Sequence, residues 1–217
     1  YVQKMPWGGG PDGYEWWKYF QRPNPGYAEF EKLKKRVKKA DYMVFGFGMR
    51  KTVKRGLNSI ENVTVQPVSH DFQELWKYEI ETGRFFSPLE SKAGSPIAVL
   101  GKDVAKGLFP NEDPIGKEIK VMGRKIRVIG VYEKQGQSLA GEGADSYVLL
   151  PVNFIRGIIN VENQNESSIM VKTKAGYEVA ELKDELRGAM RAIRRLKPKA
   201  DDNFALNESS MLSSGLD

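Results

Sequence analysis

Hydrophobic residues recur along this chain with the period of a helix in some stretches and of a strand in others. Apolar side chains repeat every three or four positions from Phe30 to Ala40, which predicts a helix that starts at Tyr27 and ends at Asp41. The longest stripe of this kind, which Pro198 ends, comprises Val179, Leu182, Leu186, Met190, Ile193 and Leu196. Its spacing predicts a second helix with one face packed on a core.

Short apolar or alternating runs predict strands on both sides of these helices. In the outer parts of the chain, strands are predicted over residues 1–5, 42–47, 167–173 and 204–206. In the middle, residues 52–55 and 62–68 are predicted as the two arms of a hairpin, joined by a longer loop that begins at Gly56. The outer elements therefore follow the order strand, helix, strand at each end of the chain.

A short helix and an aromatic pair come next along the chain. Residues 72–80 are predicted as a helix that carries Leu75 and Trp76 towards the core. Phe85 and Phe86 follow a turn at Thr82 and Gly83 and are interpreted as packing residues.

The stretch from Pro96 to Tyr132 has the most informative pattern. Residues 97–100 are a short apolar run, typical of a buried strand, and Asp103 opens a short helix with Val104 and Leu108 on one face. A hairpin follows, in which Met122 and Gly123 are predicted to form the turn.

That turn predicts the register of the hairpin. Ile119 should lie opposite Ile126 on the packed face, because both are apolar. Glu118 should lie opposite Arg127 on the solvated face, where their charges are complementary.

The order of these pieces resembles a known family. An apolar strand, GKDVAKGLFP, DPIGK, a hairpin and RVIGVYE occur in the order found in the periplasmic core domain of MacB-like and FtsX-like ABC transporter permeases. Upstream, ETGRFFSPLE at residues 81–90 matches the glycine-arginine-aromatic segment of that family, and YVLLPVNF at residues 147–154 matches its closing strand. The resemblance is strongest over residues 63–154 and looser elsewhere.

The resemblance implies an α+β fold with two subdomains. A split βαβ porter-like subdomain would be built from both chain ends, residues 1–55 plus 166–217, and a small α/β (Sabre-like) subdomain, residues 56–165, would be inserted between them. In that topology the first and last strands are antiparallel neighbours. We therefore expect Tyr1 to lie close to Asn207.

The function implied by the resemblance is mechanical and not catalytic. A domain of this family would couple cytoplasmic ATP hydrolysis to the movement of cargo or of an adaptor protein outside the inner membrane, with no cofactor. The implied partners are an ABC ATPase reached through membrane helices, a second permease copy, a periplasmic adaptor and an outer-membrane exit duct. This segment would be the periplasmic part of an inner-membrane protein, and it contains no apolar run long enough to span a bilayer.

The charge of the chain suggests a second class of function. Of 217 residues, 34 are basic and 28 acidic, which gives a net charge of +6. The excess lies in residues 32–39 and 187–199, so a free-standing basic module that binds nucleic acid is the alternative, and anionic lipid head groups are the better of the two polyanionic targets. The favoured interpretation is simpler: both clusters lie in the C-terminal halves of helices, where the helix dipole favours cations.

The residue types needed for catalysis are sparse. Ser69-His70-Asp71 contains the single histidine, and a hydrolase that uses Ser69 or His70 is a third hypothesis, but no GxSxG elbow accompanies it. There is no GxxxxGK[ST] phosphate loop, no cysteine and no EF-hand loop, so no ATP, transition-metal or calcium site is predicted.

An aromatic insert departs from the family pattern between Trp7 and Tyr27. Glycine and proline prevent one regular element there, and the aromatic side chains argue against simple disorder. One hypothesis is that it forms an exposed platform for a partner or cargo, since Trp and Tyr give large contact area at low entropic cost. The favoured interpretation is that the rings fold back and cap the local core. The candidate contact residues are Trp7, Tyr14, Trp16, Trp17, Tyr19 and Phe20.

Overall fold

The structure, a computed structural model, describes residues 1–7, 15–135 and 143–209, with the backbone alone at Trp16. Its strands, in chain order, are β1 Val2–Gln3, β2 Ala40–Gly46, β3 Met49–Arg55, β4 Asn58–Val68, β5 Ile80–Gly83, β6 Ile97–Leu100, β7 Glu118–Val121, β8 Arg124–Tyr132, β9 Tyr147–Pro151, β10 Ser168–Thr173 and β11 Ala205–Leu206. Its α-helices are α1 Tyr27–Arg36, α2 Phe72–Trp76, α3 Pro88–Ala93, α4 Lys102–Leu108, α5 Val152–Arg156 and α6 Val179–Ile193. The contacts divide the chain into a terminal unit, Tyr1–Phe45 with Asn160–Asp217, and a central unit, Gly46–Ile159.

The two ends of the chain meet in the sheet of the terminal unit, whose strand order is β11-β1-β10-β2. Val2 pairs in antiparallel fashion with Ile169 on one side and with Leu206 on the other. The backbone amide of Asn207 donates to the carbonyl of Tyr1 over 2.8 Å, and the nitrogen of Tyr1 donates to the carbonyl of Asn207 over 2.7 Å. The predicted closeness of Tyr1 and Asn207 is confirmed.

Helix α1 forms as predicted but ends earlier. Tyr27, Phe30 and Leu33 are buried, in agreement with the predicted apolar face. The helix stops at Arg36 because the amides of Lys38 and Lys39 donate to the carboxylate of Glu185, each over 2.9 Å, instead of continuing the helical hydrogen bonds. The prediction that α1 continues to Asp41 was wrong, since β2 already begins at Ala40.

Helix α6 buries the middle of the predicted apolar stripe, whereas Val179 at its start is 46% exposed. Leu182, Leu186 and Met190 are buried. A capping box starts the helix, in which the amide of Glu178 donates to the carboxylate of Glu181. It ends at Ile193, before the predicted stop at Pro198.

The strands of the central unit close into a ring. Their order is β4-β3-β7-β8-β6-β9, and β9 pairs back onto β4 in parallel, from Thr64 beside Tyr147 to Val68 beside Pro151. The β6–β8 pair is also parallel, the other pairs along this path are antiparallel, and β5 is added to β8. Buried side chains such as Val65, Ile126 and Leu149 form the core.

One hairpin of the central unit has the predicted register and the other has a shorter loop than predicted. In β7–β8, Ile119 pairs with Ile126 and Glu118 with Arg127, as predicted. In β3–β4, Arg55 pairs with Asn58, so the turn has only two residues and the predicted long loop was wrong. Gly56 adopts a φ of 58°, which suits a tight hairpin turn.

The contacts draw the unit boundaries at other residues than the predicted ones. Strand β3 pairs with β4 and β7, so residues 46–55 group with the central unit and not with the chain ends. Residues 160–165 group with the terminal unit. The identity of the two units as porter-like and Sabre-like subdomains stays a prediction.

The short helix after β4 orients its aromatic residues differently from the prediction. Helix α2 spans only Phe72–Trp76, because Lys77 turns into the left-handed region with a φ of 50°. Phe72 is the buried residue, whereas Trp76 is 40% exposed and stacks on Tyr78. The prediction that Trp76 points to the core was therefore wrong.

No helix within the described parts of the chain is long and apolar enough to cross a bilayer.

Candidate functional site

The aromatic insert begins beside the paired chain ends of the terminal unit. The ring of Trp7 lies 4.8 Å from the ring of Tyr1, centroid to centroid. The amide of Trp7 donates to Oδ1 of Asn207 over 2.9 Å, and Nδ2 of Asn207 donates to the side chain of Gln3 and to the carbonyl of Met5. The buried side chain of Asn207, which follows β11, therefore ties the start of the insert to β1 and to the residues just after it.

Two aromatic side chains of the insert are exposed. Trp17 lies in a 3-10 turn, Trp16–Lys18, and 58% of its surface is exposed; Phe20, in the next turn, is 66% exposed. Trp7 and Tyr19 are half-buried. Tyr14 and the side chain of Trp16 lie outside the described residues. The contact role of the six candidate residues stays a prediction.

Basic side chains stand next to these rings. Nζ of Lys4 lies 5.1 Å from the ring centroid of Phe20, and the guanidinium of Arg22 lies 4.5 Å from that of Tyr19, both within the range of cation–π attraction. Nη1 of Arg22 also donates to the carbonyl of Phe204 over 3.1 Å. These contacts tie the insert to both chain ends.

A further basic residue, Lys18, follows Trp17 in the same 3-10 turn. Lys18 forms an ion pair with Glu15, and the hydrogen bond between them raises the pKa of Lys18. We call Lys4, Trp17, Lys18 and Phe20 together the aromatic-basic surface.

Several cations of the two basic clusters form ion pairs within the terminal unit. Arg187 and Arg191 both bond to Asp202, and Arg194 bonds to Glu29. In the other cluster Lys39 pairs with Glu181, whose pKa is lowered by the Glu178 amide and by Lys39. Lys34, Lys35 and Arg36 lie in the last turn of α1, which supports the interpretation that this cluster belongs to a helix end.

Ser69 and His70 lack the geometry of a catalytic pair. A general-base histidine needs its Nδ1 held by a carboxylate. Nδ1 of His70 is buried and has no hydrogen-bond partner among the described residues, and its ring lies 6.5 Å from that of Phe85. Nor do the described residues bring together three or more His, Asp or Glu side chains that could hold a metal ion.

The glycine-arginine-aromatic segment of the central unit contains a bonded triad that sequence reasoning missed. The guanidinium of Arg84 forms two hydrogen bonds to Glu90, of 2.7 and 2.8 Å, and the amide of Ser87 donates to the same carboxylate over 2.8 Å. Ser87 caps α3 by accepting from the amide of Glu90. The Ser-x-x-Glu spacing of a capping box was the available signal. Arg84 holds the pKa of Glu90 down at about 2.

Two glycines let this segment approach β8 closely. Gly83 pairs with Gly130, and a β-carbon on Gly130 would lie 2.4 Å from the carbonyl oxygen of Arg84. On Gly83 it would lie 2.1 Å from the carbonyl oxygen of Ile129. A β-carbon and a non-bonded carbonyl oxygen do not approach each other so closely. The close backbone contact therefore requires glycine at both positions.

A groove of about 310 Å³ lies in the central unit near β5 and α4. Two of its acidic side chains are paired: Glu81 with Lys102, and Glu112 with Lys117. The bond from Lys117 lowers the pKa of Glu112. These ion pairs link separate segments and give the groove both positive and negative charge. The groove therefore favours neither an anionic nor a cationic ligand.

Comparison with known proteins identifies the family. The MacB-like periplasmic core domain family matches residues 1–189. The chain belongs to this family. The resemblance, which is strongest over residues 63–154, is thus confirmed, and the comparisons give no support to the nucleic-acid alternative.

One relative of this chain is the macrolide export ATP-binding/permease protein MacB of Marinobacter nauticus. It is 33% identical over 94 residues, which are 43% of this chain and only 15% of that protein. The chain thus spans a small part of the length of this relative.

Solved periplasmic and extracellular domains share the fold. The periplasmic region of MacB from Actinobacillus actinomycetemcomitans superposes with a TM-score of 0.78 at 16% identity, covering 99% of this chain and 90% of that one. The extracellular domain of the ABC-type transporter YknZ gives 0.69 at 18% identity, with 90% and 94% covered. These likenesses establish a mixed α/β fold of the MacB-like periplasmic kind.

Proposed function

We propose that this chain is the non-catalytic extracytoplasmic domain of an ABC transporter permease, and that it couples cytoplasmic ATP hydrolysis to the movement of cargo or of an adaptor protein. The observation that carries the proposal is the match of the MacB-like periplasmic core domain family to residues 1–189. In the complete protein, membrane helices would flank the domain on both sides. The partners would be an ABC ATPase, a second permease copy, a periplasmic adaptor and an outer-membrane exit duct.

The paired chain ends suggest how motion enters the domain. Tyr1 and Asn207 exchange two backbone hydrogen bonds. If each end continues into a membrane helix, the two helices would act on one small sheet, because β1 and β11 are antiparallel neighbours. A displacement of these helices would then move the terminal unit as one body.

The proposed mechanism is relative motion of two subdomains. The terminal unit would act as a split βαβ porter-like subdomain, and the central unit as a Sabre-like subdomain that meets the adaptor or cargo. Relative motion is the default for units joined within one chain. The aromatic insert would supply a further partner contact.

A distance measurement in the complete transporter tests this mechanism. Because the chain has no cysteine, Leu57→Cys in the central unit and Val179→Cys in the terminal unit would each take one spin label, if the rest of the protein is also free of reactive cysteine. The label distance should differ between the nucleotide-free and ATP-trapped states. The same distance in both states would contradict the mechanism.

A matched pair provides the control. Leu57→Cys with Leu89→Cys places both labels on exposed positions of the central unit. That distance should stay constant in every nucleotide state. A change in the control pair would mean that the central unit itself deforms, which also contradicts motion between two rigid units.

A further inference from the structure

We propose that the aromatic-basic surface, Lys4, Trp17, Lys18 and Phe20, docks on the phospholipid head groups of the membrane beside the domain. This inference rests on the proposed function in one respect, that membrane helices continue from both chain ends. It goes further by assigning a lipid surface, and not cargo or a second protein, as the partner of the aromatic insert.

The position of the surface follows from its contacts with the chain ends. Lys4 is three residues from Tyr1, so their Cα atoms are at most about 11 Å apart even in a fully extended chain. The Nζ atom of Lys4 lies over the ring of Phe20. On the other side Arg22 bonds to the carbonyl of Phe204, three residues before Asn207. The insert is thus held beside the paired strands β1 and β11, which the proposed function connects to the membrane helices.

The side chains of this surface suit the interface between lipid and water. Trp and other aromatic residues concentrate at the depth of the head groups, where an apolar ring and a polar surrounding are both accommodated. Trp17 and Phe20 offer such rings in exposed turns. Lysine side chains beside them add attraction to anionic lipid and can extend towards phosphate oxygens.

The small net charge of residues 1–26 indicates that the aromatic side chains should contribute more to lipid binding than electrostatic attraction does. Residues 1–26 contain three basic side chains, Lys4, Lys18 and Arg22, against two acidic ones, Asp12 and Glu15. Lys18 is paired with Glu15, which leaves Lys4 as the main cation beside an exposed ring. Binding should therefore occur on neutral lipid and strengthen modestly on anionic lipid.

Vesicle partitioning of this chain tests the proposal. With vesicles of phosphatidylcholine and phosphatidylglycerol at about three to one, the double variant W17A/F20A should lower the partition coefficient about ten-fold, since two exposed rings are lost. The control L57A/L89A removes two exposed apolar side chains from the central unit and should leave it unchanged within about two-fold. Equal losses in the two variants, or no binding of the parent chain, would overturn the proposal.

Charge reversal gives a second, independent readout. Lys4→Glu should weaken binding to the anionic vesicles about five-fold, and less on pure phosphatidylcholine. Lys125→Glu makes the same net change on the exposed face of the β7–β8 hairpin and should have a smaller effect. If both reversals weaken binding equally, the attraction is a general effect of net charge and the proposed site is wrong.

The depth of the rings distinguishes docking from loose adsorption. Quenchers attached to lipid near the head groups should quench tryptophan emission of the parent chain, and Trp17→Phe should remove the largest part of that quenching. If W17A/F20A abolishes transport in the complete protein but leaves vesicle binding and quenching intact, the insert contacts a protein and the lipid proposal fails. The spin-label distances would still test the proposed function on their own.

Discussion

The guanidinium of Arg194 grips the carboxylate of Glu29 with two hydrogen bonds, Nε to Oε1 over 2.7 Å and Nη2 to Oε2 over 2.9 Å. The pair joins the C-terminal end of α6 to the first turn of α1. Only 5% of the Arg194 side chain is exposed. Glu29 also accepts the amide of Gly26, so one carboxylate both caps α1 and attaches it to α6.

Loss of this pair should destabilise the terminal unit. Arg194→Ala leaves the mostly buried Glu29 carboxylate without its partner and removes the bond to Asn203. We therefore expect the free energy of unfolding to fall by about 2–4 kcal/mol. Arg187→Ala, at an exposed ion pair of the same helix, should change stability by less than about 1 kcal/mol. Urea denaturation of both variants is the measurement. Equal effects would show that the Arg194–Glu29 pair has no special importance.

Glycine 130 should be intolerant of even one added carbon. Gly130→Ala places a methyl group against the Arg84 carbonyl and should destabilise the central unit by at least about 2 kcal/mol. Gly188→Ala is the matched control, because it lies in α6 with open space around the new carbon and should stabilise by about 0.5–1 kcal/mol. Thermal unfolding would reveal the opposite signs. A neutral Gly130→Ala would refute the close backbone contact.

The Arg84–Glu90 pair predicts a specific pH dependence. The folded state lowers the pKa of Glu90 to about 2, so its contribution to stability is present above the ordinary carboxyl range and is lost as the pH falls towards 2. Because the Arg84 side chain is 56% exposed, solvent screens the pair and that contribution should be at most about 1 kcal/mol. The stability difference between the parent chain and Glu90→Gln should therefore shrink between about pH 5 and pH 2.

A double-mutant cycle isolates the pair. In a background of Arg84→Gln, Glu90→Gln should lose most of its pH-dependent effect, since the main cause of the lowered pKa is gone. The capping contact with Ser87 would remain as a smaller contribution. An unchanged pH dependence in that background would assign the effect to the helix cap and not to the ion pair.

The buried side chain of Asn207 should control the joining of the chain ends. Asn207→Ala removes bonds to Gln3, Met5 and Trp7 and should destabilise β1 and β11 by about 2 kcal/mol, since those polar groups lose their partners. Hydrogen exchange of the Val2 amide should quicken. Asn58→Ala removes one bond, to the Leu108 carbonyl, and should cost about 1 kcal/mol without affecting Val2. Unaltered exchange in Asn207→Ala would disprove the role.

The elements that could be predicted were those fixed by nearby residues. The register of β7–β8 followed from the alternation of Ile119 and Val121 and from a Met-Gly turn, both local features. The end of α1 could not be predicted, because the Glu185 carboxylate that stops it is contributed by α6. Residues 58–60 carry no strand pattern, and they are extended because their backbone pairs with β3.

The candidate surface was predictable in composition but not in geometry. The cluster of Trp and Tyr in the insert was visible in the sequence, whereas the exposure of Trp17 and Phe20 depends on how the turns lie on the terminal unit. Asn207 carried no local signal, since the groups that it bonds lie about two hundred positions earlier in the chain. Arg84 and Glu90 are six positions apart, and the capping-box spacing was a missed clue.

The adjacency of Tyr1 and Asn207 also makes this domain portable. A short linker could join the two ends without disturbing β1 and β11, and new ends could be opened at Gly56 and Leu57, the exposed tip of a tight hairpin. Such a circular permutant should fold. For the same reason the whole domain could be inserted into a surface loop of an unrelated host protein as one continuous segment.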